Sequence, residues 1–179
     1  MNKRKLTCAV MFTAMFTSSV VLADEEENYV SEIDNGKVSI EWVKPKEFHD
    51  VIPSGHISPR PKYRKFVFNR LHKHFEKLSE KLPEGYALEL LVTDLDMAGD
   101  TRRNFNNVRV LQRIDIPRME FSYQLKDANG SIVSNNQVKI KDMNFLDGLS
   151  TIQRHRALFY EREMISEWFE KEFKQVINS

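Results

Sequence analysis

Val38, Ile40 and Trp42 alternate with Ser39 and Glu41, a period of two that predicts a half-buried strand stopped by Pro45. Between positions 44 and 61, Pro45, Pro53, Pro59 and Pro61 with Ser54-Gly55 predict a long irregular crossing. The period then changes. Val67, Leu71, Phe75, Leu78 and Leu82 follow at steps of four, four, three and four, which is one face of a helix opened by Pro61. Leu82-Pro83-Glu84-Gly85 ends it. Leu88, Leu90 and Val92 resume alternation, but the next inward apolar residue is Leu95, so parity switches and predicts a bulge or bend near Thr93 or Asp94.

Positions 108–116 have the composition of a further strand, with Pro117 at its edge or kink. Met119, Phe121, Tyr123 and Leu125 then alternate cleanly with Arg118, Glu120, Ser122 and Gln124. Asp127-Ala128-Asn129-Gly130 signals a hairpin whose return strand spans 132–140. A long amphipathic helix is expected over 152–177, with Leu158, Ile165, Phe169, Phe173 and Val176 as its stripe and Tyr160, Met164 and Trp168 beside it. The element order implies a single α+β domain over 37–179. It has a largely antiparallel sheet of about four strands and two long helices packed on one face. The first two strands flank a helix and so can pair in parallel through a right-handed crossover.

The amino terminus adds an address. Lys3, Arg4 and Lys5 precede an apolar run over 6–22, which ends in Val21-Leu22-Ala23 before Asp-Glu-Glu-Glu. This is the form of a secretory signal over 1–23, cleaved after about Ala23, with a flexible leader over 24–36 and a periplasmic destination. Thr7, Thr13, Thr17, Ser18 and Ser19 soften the run, which argues against a retained membrane span. Removing it takes three basic residues from the 27 basic and 26 acidic, leaving 24 against 26, or −2. A surface so balanced gives no electrostatic reason to bind nucleic acid. The one Cys, Cys8, leaves with the signal, which excludes thiol catalysis and Cys-based zinc sites in the exported chain.

Candidate chemistry gathers at Asp94, Asp96, Gly99 and Asp100, spaced like the start of a calcium loop. The twelfth position, counting Asp94 as the first, is Phe105, where that loop requires a bidentate Glu. A divalent metal on Asp94, Asp96 and Asp100 is thus short of ligands, and no cofactor is otherwise expected. The commoner use of such residues is to end a strand and pair with arginines, here a polar network of Asp94, Asp96, Arg109 and Arg118, with Arg102, Arg103 and Arg113 also near in sequence. His72 and His74 are two apart on a helix and point to different faces, while His49, His56 and His155 are scattered. Gly-x-Ser-x-Gly, Ser-x-x-Lys and His-Glu-x-x-His do not occur. Trp42, Phe121, Tyr123, Tyr160 and Trp168 fall on predicted buried faces and are expected to pack. Trp42, His49 and Asp50, at or beside the long loop, form a possible binding surface.

Several segments carry a resemblance. They are Trp42, Pro45, Phe48 and Asp50, then Leu82-Pro83-Glu84-Gly85 and Asp94-Leu95-Asp96-Met97-Ala98-Gly99. Pro117-Arg118 before Phe121, Tyr123 and Leu125, and Tyr160-Glu161 before Trp168-Phe169, complete the set. In this order they resemble the secreted bacterial family catalogued as domain of unknown function 3016. The resemblance implies a bacterial envelope protein and transfers no activity, cofactor or catalytic residue. Export, a complete core and missing catalytic motifs favour a non-catalytic accessory module that meets an envelope protein or a small ligand. The alternative is a metal-dependent or carboxylate-based envelope hydrolase centred on Asp94 and Asp96.

Overall fold

Five strands make one sheet in sequence order, as the computed structural model of residues 28–31, 36–55, 58–101, 105–106, 108–147 and 156–178 shows. The strands are β1 (Tyr29–Ser31), β2 (Val38–Trp42), β3 (Ala87–Asp96), β4 (Arg118–Lys126) and β5 (Ile132–Lys141). The helices are α1 (Arg60–Ser79), α2 (Phe159–Glu172) and a last turn, α3 (Lys174–Ile177). The architecture is α+β, but the sheet is mixed and has five strands rather than four. β2 and β3 run parallel across the α1 crossover, with Ile40 opposite Leu90, and every other pair is antiparallel.

The added strand lies inside the stretch expected to be a flexible leader. Its charged neighbours hide it, since only Tyr29 and Ser31 turn toward the body of the protein. Tyr29 reaches Phe68 at 5.8 Å between ring centres, and Ser31 is buried. The expected bulge is present: Val92 faces Phe121 and Asp94 faces Glu120, so Thr93 is the extra residue. This insertion keeps Leu90, Val92 and Leu95 all on the inner face, where each is buried.

Positions 108–116 do not form the expected strand. β4 already has β3 and β5 at its two edges, which leaves that segment no ladder to join. It makes one bridge, Val110 with Asp100, and leaves Val108, Leu111 and Ile114 exposed. The last helix is shorter than expected. It opens at Phe159, after Leu158 in a left-handed conformation (φ 56°), and breaks at Phe173. Residues 1–27, which hold the expected signal, lie outside the described residues, as do Arg102, Arg103, His56 and His155. Among the described residues no helix is long and apolar enough to cross a membrane.

Both long helices lie on one face, and their aromatic side chains close the core. Trp42 stacks on Phe68 at 4.1 Å between ring centres, and Trp168 meets Phe121 edge-on at 4.8 Å. Such pairs add about 0.5–1.5 kcal/mol each beyond the area they bury. A polar chain crosses this core. The Trp42 indole N–H donates to Ser31 Oγ (3.1 Å), which lies 2.8 Å from His72 Nδ1, and His72 Nε2 meets the Val38 carbonyl (3.0 Å). Facing a carbonyl, Nε2 carries the hydrogen in the neutral ring, and Nδ1 then accepts from Ser31. Among the described residues no helix covers the opposite sheet face, which carries Ser39, Glu89, Ser122 and Gln124.

Candidate functional site

The polar residues with the most unusual surroundings meet where β3 ends. After Pro45 the chain returns beside β3: the Asp50 N–H donates to the Leu95 carbonyl (3.3 Å), and the Met97 N–H donates to the Asp50 carbonyl (3.2 Å). Those two bonds carry Asp50 inward until it is only 1% exposed. Arg109 arrives from the other side on the segment that failed to become a strand. Its Nη1 and Nη2 donate to Asp50 Oδ2 (3.0 Å) and Oδ1 (3.3 Å), a two-pronged ion pair. The same guanidinium donates to the carbonyls of Gly99 (2.8 Å), Ala98 (3.3 Å) and Ile52 (2.8 Å). One side chain therefore ties together the loop after β2, the turn after β3 and its own segment.

The turn must pass close to Arg109, and Gly99 makes that possible. At φ +79° a Cβ there would lie 2.7 Å from the Val110 carbonyl oxygen. Glu161 supports the turn from the helix layer. It occupies the first turn of α2 and is buried, and it accepts a hydrogen bond from the Ala98 N–H at 2.9 Å. Burial pushes its carboxyl above the usual range, opposed by bonds from the Ala98 and Glu161 N–H groups and by Arg109. Burial also raises the Tyr63 hydroxyl, Arg109 lowers it, and Glu161 and Asp50 add to the rise.

A cleft of 360 Å³ opens beside this cluster, between α1 and the start of α2. Its wall is apolar: Tyr63, Phe66, Leu111, Leu158 and Phe159, with Phe66 and Leu111 exposed at 47% and 41%. Arg109 and Glu161 border it, but both are committed inward. A small apolar group fits such a space; Arg109 and Glu161 are engaged by the protein, and a third charged lining residue, Arg156, is exposed at its rim.

The residues singled out in the sequence separate here. Arg109 joins Asp50, not Asp94 or Asp96. Arg118, half exposed, approaches Asp96 only to 3.8 Å. Asp94 Oδ1 accepts from the His49 and Leu95 N–H groups, both at 2.8 Å, and so closes a turn. Asp96 has a raised carboxyl pKa, first through burial and then through Asp50 and Asp94, against the lowering pull of His49 and Arg118. Asp100 sits apart, its backbone paired with Val110. Among the described residues no group of three or more His, Cys, Asp or Glu side chains is placed to hold a metal ion. Of the possible binding surface, Trp42 and Asp50 are interior and only His49 is exposed, because the loop folds back on β3 instead of standing away from it.

Sequence reasoning named Glu161 only within the Tyr160-Glu161 segment of the resemblance, and neither it nor Tyr63 as a site residue. Glu161 had a signal: it stands three residues after Leu158 and four before Ile165, in the middle of the apolar stripe, where a carboxylate is out of place.

The fold and the site define an α+β protein with helices over one face of a mixed sheet and a buried ion pair locking one sheet end. The chain belongs to the family described as Protein of unknown function (DUF3016), whose pattern matches residues 36–171. No curated protein and no solved structure matches it.

Proposed function

We propose that the chain is an exported, periplasmic accessory protein that binds an apolar ligand or partner segment in the α1–α2 cleft without transforming it. The carrying observation is the contrast inside that cleft: an apolar, partly exposed wall beside Glu161 and Arg109, whose polar atoms are engaged by the protein's own backbone and by Asp50, with Arg156 as the exposed charge of the described lining. A reacting group needs free donors or acceptors aimed at the substrate, and Glu161 and the terminal nitrogens of Arg109 have theirs engaged. Export is supported by Lys3-Arg4-Lys5, the apolar run and Ala23, and the mature amino terminus read by mass spectrometry from an envelope fraction tests it.

Binding is tested by titrating decanol, an uncharged apolar probe, into the full chain while following methyl resonances. Saturable shifts of the Leu111 and Leu158 methyls, with Ile132 on the far strand unmoved, are expected. Shifts spread over all methyls without saturation would remove the cleft from the account. A second reading, a carboxylate-based hydrolase, draws on Asp96, whose raised pKa and neighbouring carboxylates are features shared with catalytic acids. Full biological function in an Asp94→Asn, Asp96→Asn variant would dismiss it.

A further inference from the structure

A second surface lies along the same helices and does not depend on the cleft. α1 carries seven Lys or Arg residues against one acidic residue, Glu76. That single counter-charge is turned away from the outer face: its oxygens accept from the Val38 N–H (2.8 Å) and the Lys37 N–H (3.2 Å) at the start of β2. The chain as a whole is nearly balanced in charge, so this is a local concentration of positive charge.

The concentration has a shape. Arg70, Lys73 and Lys77 on α1 face Arg162 on α2 across a groove of 210 Å³, and the fifth lining residue is His74. Among the described residues no ion pair engages Arg70, Lys73 or Lys77, whereas Lys81, one turn on, is paired with Glu170 at 2.6 Å. His74 is built in beneath them. It is 8% exposed, its Nε2 meets the Arg162 carbonyl and Ser166 Oγ, both at 2.9 Å, and its Nδ1 accepts from Arg162 Nε at 3.3 Å. Ser166 in turn donates to the Arg162 carbonyl (2.8 Å). With Nε2 carrying the hydrogen, His74 is a neutral acceptor that holds the Arg162 side chain by Nε and leaves its two terminal nitrogens for a ligand.

We propose that this groove is a binding site for a phosphoryl group, with Arg162 as its positioned fork and Arg70, Lys73 and Lys77 as its flanking charges. A carboxylate would be matched by one arginine; four cations without a carboxylate among them suit a phosphoryl anion, whose non-bridging oxygens can meet several donors at once. The neighbourhood of His74 agrees. Its pKa is lowered to about 4, first by burial and then by Arg162, with Lys77 and Lys81 adding and only the Arg162 backbone bond opposing. Every charged side chain felt by that ring is positive, which is the local field that draws an anion. The phosphoryl group can belong to a free phosphate compound or to the headgroup of an anionic lipid; the site chemistry is the same.

The test uses the full chain and two probes. In the first arm inorganic phosphate is titrated while the His74 ring resonances are followed, and a saturable shift with a rise in the His74 pKa is expected. Lys73→Glu with Lys77→Glu should weaken this binding by about tenfold or more, as expected for removal of charge-assisted contacts. Lys139→Glu on β5 should leave it unchanged. In the second arm vesicles of phosphatidylglycerol are compared with phosphatidylcholine. Loss of phosphatidylglycerol-specific binding in the double variant, beyond the binding both forms share, assigns the headgroup; phosphate binding without it assigns a free compound. If the double variant folds poorly, Lys73→Gln with Lys77→Gln takes its place. No saturable movement of His74 with phosphate, or equal affinities for the double variant and the parent, would overturn the proposal.

Discussion

The end of the sheet and the groove between the helices use arginine in opposite ways. Arg109 is 87% buried at its side chain by the complement of its 13% exposure, and its terminal nitrogens make five bonds, all to the protein itself. Arg162 is held by one nitrogen, Nε, against a buried imidazole, and it looks onto three more cations. The first arrangement spends charge on fixing loops that have no ladder to hold them. The second keeps charge unspent at a surface. Perturbed electrostatics thus mark both a structural clamp and a recognition surface, and the partner count of each charge tells them apart.

The largest expected effect comes from breaking the clamp. Asp50→Ala leaves the Arg109 charge buried without its counter-ion and should lower stability by about 3–5 kcal/mol in urea melts. A loss under about 1 kcal/mol would show that the pair is not what joins the loops. The pH dependence of stability comes next. His74 titrates near 6.5 unfolded and near 4 in the fold, so the unfolded chain binds more protons between those values. Its contribution is complete above about 6.5 and is lost as pH falls toward 4, with a size of about 2 kcal/mol after allowance for solvent screening. His74→Gln should flatten that acid limb, and an unchanged limb would count against a neutral buried ring.

Glu161 should behave in the opposite sense. Its folded pKa is raised, so its favourable contribution is complete below the usual carboxyl range and is lost as pH rises through the folded value. Glu161→Gln keeps an acceptor for the Ala98 N–H and removes the charge, so the variant should match or exceed the parent at pH 7 by up to about 1 kcal/mol. A clear loss in thermal melts would assign the charge itself a structural role. The smallest effect is expected at the exposed counterpart of the clamp. Arg118→Ala, which removes a half-exposed partner 3.8 Å from Asp96, should change stability by less than about 1 kcal/mol.

What was readable in the sequence and what was not divide along the range of the interaction. Alternation placed β2, β3 and β4, the Asp127–Gly130 turn placed β5 as a return strand, and the parity switch at Leu95 located the Thr93 bulge, because side-chain direction and turn chemistry are set locally. The 108–116 segment misled because its residues suit a strand while the sheet has no vacant edge beside β4, a fact of topology. β1 was hidden by the opposite fault, three residues too few to show a period amid acidic neighbours. At the site, Arg109 and Asp50 were both noted, but their pairing spans 59 positions and depends on the loop bending back along β3. The cationic groove joins Lys73 to Arg162 across the packing of two helices, and no spacing along one helix announces it.

The most direct test follows both arginines at once. Nitrogen-edited spectra of the Arg109 and Arg162 side chains, recorded through a phosphate titration of the full chain, should show the Arg162 Nε–H moving to a saturating limit while the Arg109 Nε–H stays in place. Movement of Arg109 with Arg162 unmoved would mean that the sheet end is the binding site and the helix groove is not.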